Sequence, residues 1–174
     1  TMLSLQDEPI TVDIATVRID FDGEHSRLTY LHDIRKRKEA EEQLRKLSQA
    51  LEQSPESIVI TNRQAEIEYV NASFLLVTGY DREDVIGHNP RILQSGKTPP
   101  ETYDAMWAAL TQGNPWKGEF HNRSKDGSEY VEFAIITPLR QTDGSITHYV
   151  AVKEDITEKK RLGLELDGYR HHLE

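Results

Sequence analysis

Apolar and polar residues alternate from Pro9 to Ile19, with Ile10, Val12, Ile14, Val17 and Ile19 at the apolar positions. A period of two predicts a strand. Asp22-Gly23 is a turn signal, and Leu28-Thr29-Tyr30-Leu31 predicts a second strand. The pattern changes at Asp33, a candidate helix cap. Arg35 to Gln53 contains no Gly or Pro, and Ala40, Leu44, Leu47 and Leu51 are spaced by four, three and four. That is a heptad seam, narrow enough for a partner helix; a surface helix packed on its own domain is the other reading. The polarity of Arg35-Lys36-Arg37-Lys38, Glu39, Glu41 and Glu42 favours the seam, and the basic run itself reads as a solvated face. Ser54-Pro55 ends the helix.

A compact α+β pattern follows. Ser57 to Thr61 and Glu66 to Val70 predict two strands joined by a turn at residues 62–64. Asn71 can cap a short helix through Phe74, Leu75 and Val77 that Gly79 terminates. Asp81 to Ile86 predicts another helical turn, and Gly87 to Gly96 a loop. Pro99-Pro100 suits a helix start, and Tyr103, Met106, Trp107 and Leu110 form one apolar face, read as core. Three strands are predicted at Pro115–Arg123, Ser128–Pro138 and Ile146–Lys153, with hairpin signals at Asp126-Gly127 and Asp143-Gly144. This order gives one antiparallel sheet with short helices on one face. Asp155-Ile156-Thr157-Glu158 predicts a capping box opening a last helix, with Leu162, Leu166, Tyr169 and Leu173 again spaced by four, three and four. Gly163 and Gly168 weaken that helix.

The N-terminal pattern is an internal repeat. Val12-Asp13-Ile14-Ala15, Asp22-Gly23 and Asp33-Ile34 echo Val131-Glu132-Phe133-Ala134, Asp143-Gly144 and Asp155-Ile156. The expected organisation is therefore residues 1–32 as the closing strands of a preceding copy, 33–53 as a linker helix, 54–155 as a complete domain and 156–174 as a helix leading to a missing output domain.

Composition narrows the function. The net charge of −9 argues against a nucleic-acid partner, which selects the opposite sign. With no Cys, disulfides, thiolate metal sites and cysteine nucleophiles are excluded, which suits a reducing, cytoplasmic compartment. The longest apolar run, Ala105 to Leu110, falls far short of the ~20 residues a membrane span needs, and no signal peptide is seen. Asn89, Arg91, Gln94 and Asn122 are polar groups close to apolar neighbours, the mixture of a ligand pocket; each taken singly could simply tie down a loop.

Residues 54–155 resemble a PAS domain with its C-terminal PAC portion. The resemblance rests on Tyr69-Val70-Asn71, Thr78-Gly79-Tyr80, Glu83-Asp84-Val85-Ile86-Gly87, Asn89-Pro90-Arg91, Trp116-Lys117-Gly118-Glu119, Asn122-Arg123-Ser124-Lys125-Asp126-Gly127 and Asp155-Ile156-Thr157. It implies a five-stranded antiparallel sheet with short helices on one face, flanked by N- and C-terminal coiled-coil-like helices. It also implies a sensory input and dimerisation module, working as a homodimer with a downstream histidine kinase or cyclic-di-GMP enzyme and carrying no catalysis itself.

Gly87 to Gln94 resembles the loop of flavin-binding light-oxygen-voltage domains, with Pro90 at the position of their photoreactive cysteine. Trp116 and Asn122 match positions in the redox-sensing flavin PAS domains of nitrogen-fixation regulators. By that resemblance Asn89, Trp116 and Asn122 would contact the ring of FAD, the foremost candidate, and Arg91 and Gln94 would border it; the other reading is a relay domain whose pocket is empty or holds an unidentified small molecule. Haem is disfavoured: haem members usually ligate iron from a His on the helix before the long strands, and Glu101 to Gln112 has none. His88 and His121 read as pocket-edge or surface residues. His171-His172 keeps a phosphotransfer reading open, but no Gly-rich phosphate loop accompanies it.

Overall fold

A computed structural model describes the backbone of residues 2–3, 9–21 and 23–171, and side chains within 10–20 and 23–165. The chain divides into two compact units, residues 1–50 and 51–174.

In the first unit, β1 (Met2–Leu3) pairs with β2 (Pro9–Ile10), and β3 (Val12–Phe21) with β4 (Glu24–Asp33), both antiparallel. The expected strand at Leu28–Leu31 is longer in the structure. Glu24 to Arg27 join it because each finds a partner on β3, so the ladder overrides their weak strand preference. Thr11 interrupts the first predicted strand. Helix α1 (Arg35–Glu52) opens where Asp33 Oδ1 accepts the Arg35 N–H at 3.0 Å. No residue of α1 is buried, and Leu44, Leu47 and Leu51 are exposed.

The second unit is a five-stranded antiparallel sheet. It comprises β5 (Ser57–Asn62), β6 (Ile67–Val70), β7 (Trp116–Arg123), β8 (Glu129–Arg140) and β9 (Ile146–Asp155), in spatial order β6-β5-β9-β8-β7. Between β6 and β7 the chain forms α2 (Ala72–Thr78), α3 (Arg82–Val85), a 3₁₀ turn (Pro90–Leu93) and α4 (Pro100–Thr111). The 3₁₀ turn lies within the predicted loop. Helix α5 (Thr157–His171) follows β9. The expected capping box does not form. Asp155 does accept the Thr157 N–H at 2.9 Å, but Glu158 turns to Arg161, 2.6 Å away, because the guanidinium one turn on is a better partner than a backbone amide.

Alternation on β8 buries Tyr130, Glu132, Ala134, Ile136 and Pro138 on the inner face. Pro138 stands beyond the last β7 pairing, Trp116 with Ile136, so its missing N–H is tolerated there. Phe74, Val85, Leu93 and Leu110 close the core from the helical side. Asn71 is fully buried and holds several chain segments at once. Its Oδ1 accepts the N–H groups of Ile58 (2.9 Å) and Phe74 (3.1 Å), and its Nδ2 donates to the carbonyls of Leu51 (3.1 Å) and Glu56 (2.8 Å). The cap predicted from sequence thus also fixes the entry to the domain.

Candidate functional site

The inner face of the sheet and the helices do not meet everywhere. Between them lies a cavity of about 370 Å³, within the range of small-molecule sites. Val59 and Ala151 of the sheet line it, with Tyr103, Met106, Trp107 and Leu110 of α4. The α4 face read as core from sequence is therefore both core and cavity wall. Aromatic rings supply its flat surfaces. Trp107 meets Tyr149 edge-on with centroids 5.7 Å apart, and Tyr103 stacks on Phe120 at 5.5 Å.

Four of the five sequence-derived site residues reach this cavity: Asn89, Arg91, Gln94 and Asn122. Asn89 caps the 3₁₀ turn, its side chain accepting the Arg91 N–H at 3.0 Å, while Arg91 and Gln94 are exposed at the mouth. Asn122 is buried deep within. Trp116 is not a lining residue. Its indole lies over Gly118, where an added Cβ would fall 2.4 Å from the ring, and packs on Phe120 at a centroid distance of 5.0 Å. The absent side chain at Gly118 lets the ring fold along its own strand. His88 and His121 do not line the cavity either, and the side chains of Leu166, Tyr169, His171, His172 and Leu173 lie outside the described residues.

The structure adds two residues that sequence reasoning left unassigned. Glu132 of β8 and Lys153 of β9 both line the cavity and form an ion pair at 2.7 Å, with side chains 4% and 8% exposed. Asn122 Nδ2 donates to the same Glu132 oxygen at 2.9 Å. The signal was available: Glu132 falls on the inward parity between Tyr130 and Ala134, and Lys153 is two residues from Ala151. Beside them the Tyr130 hydroxyl is buried and, among the described residues, has no hydrogen-bond partner of ordinary geometry. Burial first, then the negative charge of Glu132, pushes its pKa well above the ordinary phenol value.

The loop carrying Asn89 to Gln94 is stapled to the edge of β7. Thr98 Oγ1 accepts the His121 N–H at 2.8 Å, Ser95 Oγ donates to the His121 carbonyl at 2.6 Å, and Gln94 bridges Asn122. These contacts cover an otherwise open strand edge. The polar end of the cavity also adjoins the start of α5. Glu132 stands opposite Asp155 in the ladder, and Val131 donates its N–H to Thr157 Oγ1 at 2.9 Å. At the other end of the unit, Glu52 receives the Tyr69 hydroxyl at 2.8 Å and Arg82 at 3.0 Å.

A five-stranded antiparallel sheet closed by short helices over an internal cavity is the architecture of a sensory α+β domain. The PAS domain family pattern matches residues 55–158, and the chain belongs to that family. A nitrogen fixation regulatory protein of Klebsiella pneumoniae is 37% identical over 123 residues, covering 71% of this chain and 24% of that protein. The chain thus spans about a quarter of that relative's length. Among solved structures, an RNA-binding light-oxygen-voltage receptor superposes with a TM-score of 0.68 at 23% identity, covering 94% of this chain and 44% of that one, and shows the shared fold. A light-oxygen-voltage domain studied with a flavin analogue gives a TM-score of 0.61 at 26% identity, covering 72% of this chain and 96% of that one. The domain is of the kind carried by signalling proteins. No helix among the described residues is long and apolar enough to cross a membrane.

Proposed function

We propose that this domain is a regulatory input module that binds a flavin, FAD in the first instance, and relays the state of its cavity through α1 and α5 to a separate output domain within a homodimer. The observation that carries this reading is the cavity itself: flat aromatic walls from Trp107, Tyr149, Tyr103 and Phe120, with Asn122, Glu132 and Lys153 gathered at one end. That combination fits a planar ring with one hydrogen-bonding edge. The residues fit the group in kind as well. Asn122 offers an amide, and Asn89, Arg91 and Gln94 can border the part of the ligand nearer the mouth. The flavin analogue named for a light-oxygen-voltage domain of the same fold supports the choice of ligand class.

A bound flavin supplies a ring whose edge changes charge and hydrogen bonding with its redox state. The chain's own part is to sense that edge. Lys153 is shared between Glu132 and the cavity, and a change in demand at the ring alters how firmly it holds Glu132. Lys153 lies on β9, which runs into α5, and Glu132 on β8 stands opposite Asp155, so a change in the pair lies next to the Asp155–Thr157 cap. Pro90 lines the cavity at the 3₁₀ turn and the chain has no Cys, so no thiol is available for photochemical bond formation to the ring.

FAD titration, followed by quenching of its fluorescence, tests the reading. Asn122→Ala is expected to weaken binding roughly tenfold or more, the cost of a lost buried hydrogen bond. Equal affinity in the parent and variant would remove Asn122 from the site. The absence of binding by the folded parent would remove the flavin.

A further inference from the structure

The first unit repeats the closing part of the second at the level of single backbone contacts. In the second, Asn122 and Arg123 pair with Tyr130 and Glu129 across residues 124–128. In the first, Met2 and Leu3 pair with Ile10 and Pro9 across residues 4–8, with the same spacing. Val12 then stands opposite Asp33 as Glu132 stands opposite Asp155. The Ile34 N–H donates to the Thr11 carbonyl at 3.1 Å, and the Ile156 N–H to the Val131 carbonyl at 2.8 Å. Both helices then open alike: Asp33 accepts the Arg35 N–H at 3.0 Å and Asp155 the Thr157 N–H at 2.9 Å. A chance hairpin would not reproduce loop spacing, strand register and helix cap together.

What the repeat lacks is its cover. In the second unit β9 has β5 along its far side, and β8 has the whole of β7. Among the described residues, β4 pairs only with β3, and β1 supplies only two residues. Apolar side chains are exposed on both faces of the hairpin: Ile14 and Leu31 on one, Val17, Leu28 and Tyr30 on the other. A two-stranded hairpin is marginal on its own, and its open edges are templates for pairing.

We propose that residues 2–34 are the closing strands of another PAS unit, and that the remaining strands of that unit, contributed by polypeptide preceding this stretch, cover them. One strand lies antiparallel along β4, as β5 lies along β9. Another continues β1 along β3, as β7 lies along β8. The face bearing Ile14 and Leu31 packs beneath that unit's helices. The register also places Met2, Val12 and Leu31 where the second unit carries Asn122, Glu132 and Lys153. The preceding unit therefore lacks the polar cluster, and the two cavities select different ligand chemistry.

Amide hydrogen exchange on the 174-residue chain, and on a longer chain that includes the preceding residues, tests the cover. In the 174-residue chain the β3 and β4 amides are expected to exchange roughly 100-fold or more faster than those of β8 and β9, at every chain concentration. In the longer chain they slow to match. Ile14→Lys is expected to lower the melting temperature of the longer chain and leave that of the 174-residue chain unchanged. Full protection in a monomeric 174-residue chain would overturn the proposal, because the hairpin would need no cover. Protection that rises with chain concentration would assign the cover to a second copy instead. Fast exchange that persists in the longer chain would also overturn it.

Discussion

Asn71 shows how one side chain can organise a domain. It satisfies two amides and three carbonyls from separate segments at a site with no solvent exposure. Asn71→Ala strands these groups, each at a cost of about 1–3 kcal/mol, so urea unfolding is expected to show a loss of about 3 kcal/mol or more. The Glu132–Lys153 pair behaves differently. Lys153→Leu leaves Glu132 buried and unpaired, and a loss of about 3–5 kcal/mol is expected. Glu132→Leu with Lys153→Leu should recover most of it; a double variant as unstable as the single one would show that the pair itself, rather than the orphaned charge, matters. At the surface, Arg35 hydrogen bonds hold Asp33 down to a pKa of about 2. Its folded value is depressed, so its contribution to stability is complete above about pH 4 and is lost as pH falls towards 2. An NMR titration of the Asp33 carboxyl should have its midpoint near 2, and a midpoint near 4 would mean the Arg35 contact is not held in solution.

At the scale of elements, the two flanking helices carry the transmission hypothesis. Leu44 and Leu47 of α1 are exposed, in keeping with a seam for a partner helix. Sedimentation of Leu44→Lys or Leu47→Lys should show self-association weakened by roughly tenfold or more; association equal to the parent's would place the dimer contact elsewhere. In α5, a Cβ added at Gly163 meets nothing within 4 Å. Gly163→Ala should therefore stiffen the helix by roughly 0.5–1 kcal/mol, seen as increased helical circular dichroism with an unchanged PAS core.

For the molecule as a whole, most of the fold could be read from sequence because its devices are local. The period-two runs of the long strands, the Asp-Gly turns after Lys125 and Thr142, and the Asn71 cap each act within a few residues. What escaped depends on distant partners. Glu24 to Arg27 become strand only through β3, and Glu132 finds Lys153 only once β8 lies beside β9. Trp116 shares its strand's inward parity with Phe120 and Asn122, yet the space over Gly118 draws its ring away from the cavity. Asn89, Arg91, Gln94 and Asn122 converge because the loop is stapled to β7, which their polarity alone suggested but could not place.

Flavin binding in the cavity is read most plainly in the absorption spectrum of freshly purified protein, repeated after reconstitution with FAD and gel filtration. A flavin held in the cavity gives bands that travel with the protein, are lost in Asn122→Ala, and show no thiol-dependent bleaching under blue light. Protein that is folded yet colourless after reconstitution would contradict flavin binding.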